Sequence, residues 1–352
     1  MVKNKTFLFA FLTIFGLFMF VSCAQQKENA QSNSSDRIIV AEYNVENLFD
    51  LKDDEGKADE EFTPEGENKW TKERYDKKLV DLAKVLGALD KSQTPDLIGL
   101  IEIENRAVVE DLIKTAPLSQ KEYVIVHHES PDFRGIDVAL VYNSLVFKEL
   151  SHEAIKISMP DDKEFTTRDI LYLKALVKNK DTLHVFVNHW SSRRGGEDDS
   201  EPKRVFAAQV LRNKVDSIQK YNANAKVLIM GDMNDEPTNK SILETLKATG
   251  NKENVAKGEL YNLMFDKKQN GEGTYLFKGS WNMLDNVIIS QSMLNSKKHL
   301  SCTYTSASIF KEDWILFANN KGEKSPSRTY GGSNYYGGYS DHLPVSLELF
   351  FK

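Results

Sequence analysis

The chain has 352 residues, two cysteines and a formal net charge of −6. That length suits one large domain or two small ones, and the acidic balance excludes a basic protein that scans DNA through long-range attraction. It does not exclude a hydrolase whose phosphate contacts are local or made through a cation.

Lys3 and Lys5 precede an apolar run from Phe7 to Val21, followed at once by Ser22 and Cys23. The run is shorter than the roughly 20 residues a membrane-spanning helix needs, so residues 1–22 read as a secretory signal peptide. An uncleaved anchor is the alternative. The cysteine at the break resembles a bacterial lipobox, which implies cleavage before Cys23 and acylation of its thiol. The expected protein is thus an exported cell-envelope lipoprotein, periplasmic or anchored at the outer membrane or surface. Residues 23–36 are polar and low in complexity, a flexible tether. Only Cys302 then remains, so no internal disulfide forms and stability has to come from a core. Losing Lys3 and Lys5 makes the charge −8.

Residues 37–352 carry no Pro/Ser-rich linker and no repeat, and read as one catalytic domain. Arg37 to Tyr43 is a strand that ends at Asn44. The acidic stretch Asp50 to Asn68 reads as a solvated loop. Trp70 to Leu89 has apolar residues at helical spacing, Asp96 to Ile103 is a buried strand, and Val108 to Thr115 is a short helix. Strands are expected at Tyr123–Val126, Val138–Tyr142, Ile170–Val177 and Thr182–Val187. A helix follows over Pro202–Tyr221, with Ser200 as N-cap. Val227–Met230 is a strand, Ser241–Ala248 a short helix, and Met283–Ser290 and Val345–Phe350 late strands. Many strands with few helices predict an α/β fold of two packed, mostly antiparallel sheets flanked by helices, a four-layer α/β/β/α sandwich.

Polar clusters interrupt the apolar strands at their ends: Asn44; Glu102 with Glu104; Asn188 and His189; Asp232 and Asn234; Asp341 and His342. Oxygen ligands without cysteine point to a hard divalent cation, Mg²⁺ or Mn²⁺, and a carboxylate beside an imidazole suits proton transfer from water.

In this order, Tyr43-Asn44-Val45-Glu46, Asp96 to Glu102, Asn188-His189-Trp190, Gly231-Asp232-Met233-Asn234 and Ser340-Asp341-His342 resemble the endonuclease/exonuclease/phosphatase superfamily. The resemblance spans Arg37 to Phe350. It implies Glu102 as principal metal ligand, with Asn44 and Asp341 assisting. Asp232 would orient or activate water, Asn234 would hold water or phosphate, and His342 would be general base or transition-state stabiliser. His189 and Asn188 would meet the phosphate, Asp285 would support the histidines, and Arg168 would lie near the phosphate. Which of Asp232 and His342 is the base stays open.

Several other groups carry two readings. Glu104 is expected to pair with Arg106 or sit on the loop surface. Asp137 either supports the site or pairs with Arg134 or Arg168. Arg193-Arg194 reads as a phosphate clamp or a solvated loop paired with Glu197. The Tyr330–Tyr339 segment, rich in tyrosine and glycine, is expected to touch substrate. Function follows as a metal-dependent phosphodiester hydrolase, foremost a nuclease on DNA or RNA, monomeric and membrane-tethered through Cys23. Lipid- or sugar-phosphate hydrolysis is one alternative, and a non-catalytic binding lipoprotein is another.

Overall fold

The computed structural model describes residues 37–351 apart from residues 254 and 298. The leader, Cys23 and the tether lie outside the described residues. Among the described residues no helix is long and apolar enough to cross a membrane.

Strand β1 (Arg37–Leu48) leads through a loop to helix α1 (Lys72–Ala88), strand β2 (Leu97–Ile103) and helix α2 (Arg106–Lys114). Next come β3 (Tyr123–His127), β4 (Asp137–Asn143), β5 (Phe147–Ile155), β6 (Ile170–Val177) and β7 (Asp181–His189). Helix α3 (Glu197–Tyr221) precedes β8 (Lys226–Asp232), and short strands follow: β9 (Ala248–Thr249), β10 (Leu260–Asn262), β11 (Tyr275–Phe277) and β12 (Ser280–Asn282). The chain closes with β13 (Asp285–Ser290), β14 (Leu300–Ser301), β15 (Ala307–Ile309) and β16 (Val345–Phe351).

One sheet runs β14-β16-β1-β2-β4-β3 with β15 also on β16, and the other runs β5-β6-β7-β8-β13-β10-β9. Three apolar layers hold them. Leu97, Ile101 and Leu140 of the first sheet meet Leu173, Val185 and Met230 of the second. Leu82, Val85 and Leu86 of α1 cover the outside of the first sheet, and Ala208, Leu211 and Val215 of α3 cover the second. This is the expected sandwich. β1–β2 and β7–β8 pair in parallel, whereas β2–β4, β3–β4, β5–β6, β6–β7 and β8–β13 are antiparallel. Both faces of β2 are covered, so it reads as an unbroken apolar run.

The differences from expectation have local causes. Helix α3 begins at Glu197 after Gly196, not near Pro202, and Ser200 lies inside it with Oγ donating to the Gly196 carbonyl at 2.6 Å. Glu197, Asp198 and Asp199 fill the first turn, where negative charge suits the helix dipole. Strand β5 was not expected: its sequence FKELSHEAI is charged and mostly exposed, as befits a sheet edge that resists further pairing. The expected helix over Ser241–Ala248 shrinks to a π-helical turn at Ser241–Thr245, because Ala248 joins β9 beside β10.

His184 on β7 accepts or donates at Nδ1 to the Tyr172 hydroxyl at 2.7 Å. Burial, helped by Lys174 and Lys214, lowers its pKa to about 4. An unfolded histidine titrates near about 6.5, so between these values the unfolded chain binds more protons. Stability should therefore fall as pH drops from about 6.5 toward 4 and level off below. His184→Gln should flatten that part of a plot of melting temperature against pH; an unchanged slope would remove His184 from the account.

Candidate active site

Strand register gathers the polar ends. His189 pairs with Asp232 across the parallel β7–β8 ladder, and Asp232 pairs with Asp285 across β8–β13. Neighbouring paired positions point to the same face of a sheet, so these three side chains stand in a row. The ends of β1 and β2 face them from the other sheet with Asn44 and Glu102. His342 comes from the segment before β16, pinned by Leu343 N–H donating to the Thr274 carbonyl at 2.8 Å.

The contacts are direct. Asn44 Nδ2 donates to Asp232 Oδ2 at 3.1 Å, and Asn234 N–H donates to Asp232 Oδ1 at 2.9 Å. His342 Nδ1 is 2.7 Å from Asp285 Oδ2, which leaves Nε2 facing Asp232 Oδ2 at 3.9 Å. His189 Nε2 lies 3.7 Å from Glu102 Oε1 and 3.8 Å from Asp232 Oδ2. The Asn47 N–H donates to Glu102 Oε2 at 3.1 Å. Ser340 Oγ donates to the Asn44 carbonyl at 2.7 Å, tying the segment before β16 to β1, its neighbour in the first sheet.

The backbone is strained at this point. Glu46, Asn47, Glu102 and Asn234 have φ of 53°, 53°, 65° and 50°. Asparagine tolerates this region, but glutamate rarely adopts it. The bulge between Ile101 and Ile103 in the β2–β4 pairing accompanies the turn at Glu102. Strain held in this way marks sites where geometry matters more than stability.

Burial and charge separate the two histidines. Burial alone would lower His342, but the carboxylates of Asp285 and Asp232 outweigh it and hold its pKa well above the usual value. His189 is held well below, by burial first and then by Arg168 and Arg134, and its Nδ1 is buried without a partner. Burial raises Asp232 to about 7, with His342 opposing and Asp285 adding to the rise. Glu42, two residues before Asn44 on the same strand face, is buried beside Asp285; burial first, then the carboxylates of Asp285 and Asp232, hold its pKa well above the usual value.

This donor set fits a hard divalent cation. Glu102 and Asp232 open onto one cleft, each within 3.8 Å of His189 Nε2, and Asn44 bonds Asp232; His342, held protonated by Asp285, stands beside them as a donor and not a ligand. Oxygen donors predominate and no thiol is present, which suits Mg²⁺ or Mn²⁺.

The remaining expected residues fall in different places. Asn188 is wholly buried; its Oδ1 accepts from the Trp190 indole at 3.1 Å and its Nδ2 donates to the Met230 carbonyl, so it supports the strand from below. Arg168 is buried too, bonded to Asp132 Oδ2 at 2.9 Å and to the Trp190 carbonyl at 2.6 Å. Asp341 lines the cleft, but its Oδ2 is 2.6 Å from Arg328 Nη2. Asp137 pairs with His127 and Ser130, while the partner of Arg168 is Asp132, so of the two readings of Asp137 the pair with an arginine does not form. Glu104 is buried rather than superficial, and Arg106 pairs with Glu110 instead. Both arginines line the cleft, but Arg193 is held by the Asn234 carbonyl, Asp235 and Glu197.

Three tyrosines of the Tyr330–Tyr339 segment pack against neighbouring side chains, while Tyr336 is exposed. Tyr330 packs edge-on against Phe62, Arg74 stacks 4.1 Å over Tyr335, and Tyr339 meets Trp314. The aromatics of the cleft are Tyr275 and Phe277 on β11, parallel to each other at 6.5 Å, with Tyr275 4.8 Å from the His342 ring. Arg134, Arg194 and Lys278 supply positive charge to this cleft of about 670 Å³. Tyr275 and Phe277 were missed in the sequence; the signal was an aromatic alternation at period two between Gly273 and Gly279.

A cation-ready row of acids and imidazoles, in a cleft rimmed by Arg and Lys at the open edge of a double sheet, defines a hydrolase of the phosphoesterase type. The chain belongs to the Endonuclease/Exonuclease/phosphatase family, whose pattern matches residues 39–350. No curated protein matches it in sequence. Among solved structures it is similar to an endonuclease/exonuclease/phosphatase family protein from Bacteroides thetaiotaomicron. Identity there is 16%, the TM-score 0.55, and the match covers 90% of this chain and 98% of the other. A mannosyl-6-phosphatase from the same organism is 17% identical at TM-score 0.53, covering 89% and 100%. D. rerio TDP2 complexed with single strand DNA product is 14% identical at TM-score 0.51, covering 89% and 98%. At such identities these likenesses carry the fold.

Proposed function

We propose that the protein is a Mg²⁺- or Mn²⁺-dependent phosphodiesterase that cleaves nucleic acid, exported and tethered to a membrane through acylated Cys23. The observation that carries the chemistry is the His342–Asp285 pair at 2.7 Å, aimed at Asp232 across 3.9 Å. A bound Mg²⁺ or Mn²⁺, held by Glu102 with Asn44, would polarise the phosphoryl oxygen and stabilise the leaving oxygen. Asp232, fixed by Asn44 and Asn234, takes the proton of the attacking water. His342, kept charged by Asp285, donates Nε2–H to a phosphoryl oxygen as negative charge builds there. Neutral His189 donates from Nε2 beside it. Arg134 and Arg194 neutralise flanking phosphate, and Tyr275 with Phe277 offers a stacking face for a base.

That aromatic face and the likeness to a DNA-bound TDP2 support the nucleic-acid reading. The likeness to a mannosyl-6-phosphatase supports a second one, a sugar-phosphate monoester. Purified protein with Mn²⁺ should be compared on single-stranded DNA, RNA and hexose phosphates, with Phe277→Ala alongside. Faster turnover of the nucleic acids, with a raised KM in Phe277→Ala, is the expected result. Turnover of sugar phosphate alone would give the site to the second reading.

A further inference from the structure

The loop between β1 and α1 builds a second acidic cluster outside the cleft. One carboxylate oxygen each from Asp54, Asp59 and Glu104 lies within 4.8 Å of the others. Asp59 is 1% and Glu104 2% exposed, while Asp54 faces solvent. Glu104 Oε2 accepts from the Asp50 N–H at 2.5 Å, and Asp59 Oδ2 from the Asp54 N–H at 3.1 Å. Their other oxygens, Glu104 Oε1 and Asp59 Oδ1, are buried and accept nothing.

Charge is not balanced from the protein. Among the described residues none of these three carboxylates forms an ion pair. The loop lysine Lys57 directs its ammonium instead to the carbonyls of Ser130 and Asp132, at 3.2 and 3.1 Å. Carboxylates buried together without a partner are strongly disfavoured unless a cation or proton joins them.

The loop is ordered for other reasons, so the acids are not crowded by accident of a floppy segment. Phe49 stacks on Phe62 at 4.4 Å, Trp70 Nε1 donates to the Phe49 carbonyl at 2.9 Å, and Ala58 N–H donates to the Phe133 carbonyl at 3.0 Å.

We propose that Asp54, Asp59 and Glu104 form a structural Ca²⁺ site that fastens the acidic loop to the exit of β2. All three donors are carboxylate oxygens. That excludes the nitrogen and sulfur preferences of zinc, and the open side at Asp54 admits the water a six- to eight-coordinate Ca²⁺ retains. Glu104 follows strained Glu102 by two residues, so the ion also steadies the rim of the cleft. The inference is independent of the phosphoesterase reading, since Ca²⁺ binding is measured without substrate.

The test is calorimetric titration of the protein with Ca²⁺ in excess Mg²⁺, with melting temperatures measured in Ca²⁺ and in EDTA. The expected result is a single added Ca²⁺ and a melting temperature a few degrees higher, both absent in Asp59→Asn. In EDTA the variant should be at least as stable as the parent, because an amide relieves repulsion among the acids. Glu104→Gln repeats the test should Asp59→Asn fail to fold. Equal Ca²⁺ responses in parent and variants, no response in the parent, or unfolding of both variants with and without Ca²⁺ would each overturn the site.

Discussion

Replacing His342 with glutamine should lower kcat on a phosphodiester by about 10³-fold while the protein stays folded. Glutamine still fills the space and can donate toward Asp285 and Asp232, whereas alanine would leave both buried carboxylates without their partner. What glutamine cannot do is carry the positive charge that those acids sustain on the imidazole. The loss should appear in kcat with KM little changed, because the charge meets negative charge that grows in the transition state. Asp285→Asn should lose part of the same factor, since it keeps a hydrogen-bonding neighbour for Nδ1 and removes the charge that holds the proton. A His342→Gln protein with parental kcat would take the imidazole out of the chemistry.

The second large effect concerns stability. Gly231 has φ of 135°, and a Cβ there would lie 2.0 Å from the Asn188 carbonyl oxygen, its partner across β7–β8. Backbone cannot step aside as a side chain can. Gly231→Ala should therefore cost on the order of 3 kcal/mol or more by urea denaturation, and it should misplace His189 and Asp232 together. Gly99→Ala is the contrast. Its Cβ would meet the Met230 methyl at 2.8 Å, the end of a flexible chain, so a loss below about 1.5 kcal/mol is expected. Equal losses would mean that the close approach at Gly231 is not what the motif protects.

The glycine of the Gly231-Asp232-Met233-Asn234 motif thus acts through the sheet, whereas sequence reading singles out only its acid and amide. Long apolar strands such as β2, β6 and β8 were legible because burial on both faces leaves unbroken Val/Ile/Leu runs. Edge strand β5 was not, since an edge carries the charges that a loop also carries. At the site, residues at strand ends were readable from the break between apolar run and polar tip. Groups that approach from other loops were not. Nothing local distinguishes Arg134, in the cleft, from Arg168, buried against Asp132. Aromatic content likewise does not reveal direction, and Tyr330 and Tyr335 turned toward α1 while Tyr275 and Phe277 took the cleft. Glu42 shares a strand face with Asn44 by period two, and that alternation was its one available signal.

The central claim is hydrolysis of a phosphodiester by the cleft of Glu102, His189, Asp232, Asp285 and His342 with a divalent cation. The most direct measurement is the rate of phosphodiester cleavage by the purified protein as Mg²⁺ or Mn²⁺ is added, removed with EDTA and restored. Cleavage that appears with the cation, stops with EDTA and returns on readdition is the predicted result. Cleavage indifferent to EDTA, or none of DNA or RNA at any cation level, would contradict it.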